Sequence, residues 1–143
     1  MNASTQGRLL LCIAGLMMLD ATIGGAVGSH LLTNLDERSL RSFDTAVEFE
    51  FFNALGLIGV VLVAERVGAN AWLRVAAWLL VAGVVVFCGS IASVMFGAPR
   101  GVLALAPYGG VALMVAWLAF AIGVWMRRAS AEPSAQRSAS GRG

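Results

Sequence analysis

Apolar residues fall into four long runs along the chain, each bounded by charge, glycine or proline. The first covers 9–27 and is broken once, by Asp20. The second, 46–64, has Glu48 and Glu50 near its start. The third, 75–95, has no charged residue, and the fourth, 102–126, has Pro107 near its beginning. A helix of about 20 apolar residues crosses the roughly 30 Å hydrocarbon layer, so each run predicts a spanning helix. Strands of a membrane barrel would alternate apolar and polar residues over about ten positions. The stretch VAGVVVFCGSIASVMF does not alternate, and four strands could not close a barrel. Proline near the start of the fourth run is tolerated where neighbours satisfy the freed backbone carbonyl. The expected fold is all-α: an integral membrane four-helix bundle forming one domain over 1–128.

Between the first two spans, SHLLTNLDERSLRSFDTAVEFEF is too charged to cross a bilayer. Leu32, Leu35, Leu40 and Phe43 could line one side of a short amphipathic helix, with Asp36, Glu37, Arg38 and Arg41 opposite. Such a segment would lie along the membrane surface. The tail over 129–143, rich in Ser, Ala, Arg and Gly, is expected to be disordered.

Composition agrees with a lipid-facing exterior. Of the 143 residues, 59% are hydrophobic and 13% charged, and the mean hydropathy is +0.82. A soluble domain has about 25% charged residues, so this chain lacks the material for a polar shell. All ten basic residues are arginine, and they sit between apolar runs and in the tail rather than on one face. Nucleic-acid binding is therefore not expected. With four spans, Arg8, Arg66, Arg74, Arg127, Arg128, Arg137 and Arg142 share one side, and Arg38, Arg41 and Arg100 take the other. The excess predicts that both termini are cytoplasmic. Arg8, the first apolar run, Ala26 and Gly28 resemble a signal peptide, but Asp20 and the spans that follow argue against cleavage. Cys12 and Cys88 should lie at depths about 14 Å apart, too far for a disulfide.

Few residues are candidates for chemistry. Asp20 comes first, because a carboxylate within a span costs about 2.5–3.5 kcal/mol on insertion scales and usually faces the bundle interior. Asp20, Gly24 and Gly28 share one helix face. His30, Glu50 and Asn53 are expected to meet at one membrane boundary, as a polar cap or small site, with Asp20 deeper by about 15 Å. His30 is the single histidine. Bis-histidine haem needs two and zinc three or four protein ligands, so no metal or cofactor is expected. Gly24, Gly25, Gly28, Gly89, Gly109 and Gly110 suit close helix packing. Trp72, Trp78, Trp117 and Trp125 are placed mostly as interfacial anchors. No nucleophile–base pair, phosphate loop or paired catalytic carboxylates stand out, so no enzyme is expected.

Three segments together resemble one family. They are Gly25-Ala26-Val27-Gly28-Ser29-His30-Leu31-Leu32; Phe43 through Leu57; and Phe87-Cys88-Gly89-Ser90 with Ala106-Pro107-Tyr108-Gly109-Gly110 and Trp117. In order and spacing they are similar to domain-of-unknown-function family 423, grouped with transmembrane protein 256. The resemblance covers about 9–126. It implies a small multi-pass protein of the bacterial inner membrane, with mitochondrial counterparts and no assigned reaction. Ser29 stands where the family usually has alanine, Asn53 where it has histidine, Phe49 and Glu50 where Tyr and Gln are common, and Ala106 where it has threonine. A role requiring two histidines is thus not implied for this chain.

Two functions are compatible with these residues. One is a structural or interaction component, packing in the lipid bilayer with itself or with other membrane-protein subunits. The alternative is a small transporter or proton-conducting protein using Asp20.

Overall fold

The computed structural model describes residues 3–30 and 36–140, with side chains over 5–30 and 36–126. Among them are four α-helices, α1 (Ala3–His30), α2 (Glu37–Val67), α3 (Ala71–Met95) and α4 (Ala106–Ser140), and a 3-10 turn over Arg100–Leu105. All four helices are long and apolar enough to cross a membrane. The expected all-α, four-helix membrane bundle is what forms. Outward-facing Leu16, Phe52, Val85, Met114 and Leu118 are each more than half exposed. A soluble monomer rarely leaves so much contiguous apolar surface uncovered; in a bilayer it meets lipid.

α1 packs on α2, α2 on α3 and, most extensively, α3 on α4, whereas α1 and α4 have no comparable interface. The core that joins them is built from small side chains. Ala14, Ala54, Ala76 and Ala116 are fully buried, with Leu57, Leu80, Val60 and Val84 between them. Lipid supplies no hydrophobic drive between spanning helices, so close van der Waals packing through small residues holds them together.

Glycine permits the closest approaches. A Cβ on Gly109 would collide with the Phe87 backbone, and one on Gly83 would lie 2.7 Å from a Leu113 methyl. At the other end of the α3–α4 interface, a Cβ on Gly123 would stand 3.0 Å from Leu73. Positive φ is needed at two positions: Gly68 (85°), which ends α2, and Gly97 (96°), just past α3. Asn70 completes the α2–α3 turn. Its Oδ1 accepts the Leu73 N–H at 2.9 Å as an N-cap, and its Nδ2 donates to the Gly123 carbonyl at 2.9 Å.

Three details differ from expectation. The separate amphipathic segment is absent from Glu37 onward, because Leu40 and Phe43 belong to α2 itself; Leu32 and Leu35 lie outside the described residues. α2 has 31 residues, about 46 Å at 1.5 Å each, against roughly 30 Å of hydrocarbon. Its first turns can therefore stay helical while Glu37, Arg38 and Arg41 remain in water. Asp36 caps this end, accepting from the Ser39 N–H at 3.1 Å and the Ser39 hydroxyl at 2.7 Å. Secondly, span four begins as the 3-10 turn, and α4 starts at Ala106. Pro107 thus falls in the first turn, where an amide N–H has no intrahelical partner to lose. Finally, the α4 helix continues through Ser140, beyond the expected span end at 126.

Candidate functional site

The α1–α2 register decides which polar groups meet. A Cβ on Gly7 would come within 3.1 Å of the Glu65 carboxylate, one on Gly24 within 2.9 Å of Val47, and one on Gly28 within 3.3 Å of Phe43 and Asp44. In this antiparallel pairing Asp20 lies opposite Glu50, and the two carboxyl groups come within hydrogen-bonding reach of each other. The expected separation of about 15 Å between Asp20 and Glu50 is therefore overturned. Its cause is the start of α2. With the helix beginning at Glu37, Glu50 is carried thirteen residues, about 20 Å, along the helix from the hairpin and so down to the depth of Asp20.

The pair borders a half-open cavity of about 350 Å³ between α1, α2 and α3. Its walls are mainly apolar, with Met17, Phe43, Val84 and Phe96 among them. Asp20 is exposed towards this opening and Glu50 is half-buried. Cys88 also lines the cavity, and its thiol donates to the Ala46 carbonyl at 3.1 Å. Gly89 lies here too, with nothing within 4 Å of where its Cβ would be, so it makes no close helix contact. The packing role expected for Gly89 is not seen, whereas Gly24, Gly28 and Gly109 do sit against neighbouring helices. Gly25 and Gly110 are at ordinary contact distance, 4.0 Å from Val47 and 3.9 Å from Phe87.

The other candidates do not join the pair. His30 ends α1, exposed, ten residues or about 15 Å along the helix from Asp20. Asn53 is buried and hydrogen-bonded elsewhere. Its Nδ2 donates to the Phe49 carbonyl at 2.7 Å, and its Oδ1 accepts from the Trp117 indole N–H at 3.3 Å. Trp117 thus makes an interhelical contact between α2 and α4. Gly56, one turn along α2, makes room for its ring. A glycine three residues after Asn53 was the signal for this arrangement, but the sequence does not say which helix supplies the indole.

Chemically, two carboxyls in contact can share one proton or hold a monovalent cation between them. Among the described residues no group of three or more His, Cys, Asp or Glu side chains converges.

Outside the spans, Asp36 is held below the usual carboxylate range, chiefly by the Ser39 hydroxyl and then by the Ser39 amide.

The family DUF423, described as a protein of unknown function, matches residues 24–110, a stretch containing Glu50, Asn53 and the glycines of three interfaces. The chain is 29% identical over 112 residues to the UPF0382 membrane protein YwdK of Bacillus subtilis, covering 78% of this chain and 91% of that protein. It is 30% identical over 100 residues to a UPF0382 membrane protein of Haemophilus influenzae, covering 69% and 79%. With the UPF0382 membrane protein SSP2132 of Staphylococcus saprophyticus it shares 29% over 120 residues, covering 82% and 98%. No solved structure matches the chain. With more than half its length matched, and relatives that carry no assigned activity, this four-helix membrane protein belongs to the DUF423 family.

Proposed function

We propose that the protein binds and moves protons or small monovalent cations across the bacterial inner membrane through the Asp20–Glu50 pair, with both chain ends in the cytoplasm. The observation that carries this reading is the contact between two carboxyl groups inside spanning helices. Each would be costly there alone. Two acids in contact cannot both stay ionised without a proton or cation between them, so the pair is suited to take up and release one. The adjoining cavity gives access from the side. The bacterial relatives and the arginine excess at the N-terminal end support the inner-membrane placement and orientation. The reading involves no covalent chemistry and so assigns no enzymatic step to the pair.

Proteoliposomes with an entrapped pH indicator and imposed proton, sodium or potassium gradients test this. Wild-type flux should disappear in Asp20→Asn and in Glu50→Gln and persist in Glu48→Gln, whose side chain is exposed and not among the cavity residues. Absence of flux for all three ions in wild type removes the reading.

A role as an interaction component has one observation in its favour. α1 and α4 each lack a neighbour on one flank, and Gly15 and Gly59 open onto empty space. Against it, Gly24, Gly28 and Gly109 are already used for packing within the chain. A protein that stays monomeric in native-like lipid, with no co-purifying subunit, would exclude this second role.

A further inference from the structure

At the Arg74 end of the bundle, α1 leans on α2 and leaves one stripe of α3 uncovered. Arg74, Val75, Trp78, Leu79 and Ala82 follow helical spacing along that stripe, and Gln6 of α1 closes one side, giving a cleft of about 620 Å³. We propose that this cleft seats an anionic phospholipid, its phosphate on Arg74 and Gln6 and an acyl chain along Val75, Trp78, Leu79 and Ala82.

Charge complementarity and polarity order support that occupant. Arg74 is exposed and near the start of α3, where a spanning helix enters the headgroup region. Among the described residues the ion pair formed is Arg41–Glu37, at the opposite end of α2, so the Arg74 guanidinium has no carboxylate partner there. Glu65 lines an adjoining cavity with Arg74 but does not pair with it, and among the described residues no carboxylate lines the cleft itself. A guanidinium presents a planar fork that fits phosphate oxygens, and the Gln6 amide adds a donor. From Arg74 to Ala82 the helix advances about 12 Å, passing from charged to wholly apolar, as a phospholipid does from phosphate to chain. Trp78 lies between, 40% exposed, with the amphipathic ring favoured at this depth.

The full-length protein in bilayers of phosphatidylcholine mixed with phosphatidylglycerol tests the proposal. The readout is quenching of tryptophan fluorescence when one lipid at a time is brominated in its acyl chain. Brominated phosphatidylglycerol should quench beyond its mole fraction, with a preference of about fivefold, the scale of one basic residue at an anionic surface. The preference should vanish in Arg74→Gln and survive in Arg74→Lys and Arg8→Gln, with helical circular dichroism retained in all three. Quenching in proportion to mole fraction in wild type overturns the proposal, as does a preference that survives Arg74→Gln.

Discussion

Trp117 donates its indole N–H to Asn53 at 3.3 Å while its ring fills the space left by Gly56, linking α4 to α2. Interhelical hydrogen bonds in membrane proteins are worth about 0.6 kcal/mol on average and at most about 1.7. Trp117→Phe should therefore cost on that order, plus some lost packing. Gly56→Val should cost more, about 1–3 kcal/mol or beyond, because a Cβ at Gly56 would lie 2.5 Å from the ring and would force the indole out. Unfolding midpoints in mixed micelles would rank the variants; a Gly56→Val protein as stable as wild type would contradict the placement of Trp117.

Two glycines that look alike in sequence should behave differently. A Cβ at Gly109 meets the backbone of Phe87, which cannot rotate away, whereas a Cβ at Gly89 meets nothing within 4 Å. Gly109→Ala should push α4 from α3 and lower stability by about 1–3 kcal/mol. Gly89→Ala should be neutral or slightly stabilising, since alanine restricts the unfolded chain and favours helix. The same unfolding assay separates them, and equal losses at both positions would rule out the α3–α4 packing described.

How far the sequence carried these features depends on what each requires. Span number and class follow from apolar run length alone, which lipid thickness converts directly into helices. Gly24 and Gly28 are visible as small residues one helical turn apart, and Gly109 as half of an adjacent glycine pair. Gly56, Gly83 and Gly123 carry no such mark, because only the three-dimensional arrangement reveals which face meets a bulky neighbour. The Asp20–Glu50 contact was hidden for a different reason. Polar residues from Glu37 to Thr45 read as a surface segment, yet they are the first turns of α2. Hydropathy marks where a helix enters lipid, not where it begins, and the hairpin register depends on the latter.

The α2 cap has a pH dependence of definite sign. Hydrogen bonds from the Ser39 hydroxyl and amide hold the Asp36 carboxyl below its ordinary value of 3.8, so the folded state favours the ionised form. The cap is intact at neutral pH and is lost as pH falls through the lowered folded value, beneath 3.8. Hydrogen exchange at the Ser39 amide should quicken in Asp36→Ala at pH 7, where wild type stays protected. Matching exchange in the two proteins would show that the carboxylate does not cap the helix.

The α1–α2 register is open to direct chemical test. A Cβ on Gly24 would lie 2.9 Å from a Val47 methyl, which brings the two Cβ positions close to the spacing of a disulfide, about 3.5–4.5 Å. In a Cys12→Ser, Cys88→Ser background, Gly24→Cys with Val47→Cys should cross-link under mild oxidation in the membrane. His30→Cys with Glu50→Cys should stay reduced, since about 15 Å of helix separates His30 from the Asp20 level at which Glu50 lies. Gly24 is one turn from Asp20 and Val47 is three residues from Glu50, so the first bond fixes the two acids side by side. A hairpin slipped so that Glu50 met His30 would reverse the outcome, cross-linking the second pair and sparing the first. That result would separate the carboxyls and remove the proton-sharing pair, while leaving the four spans intact.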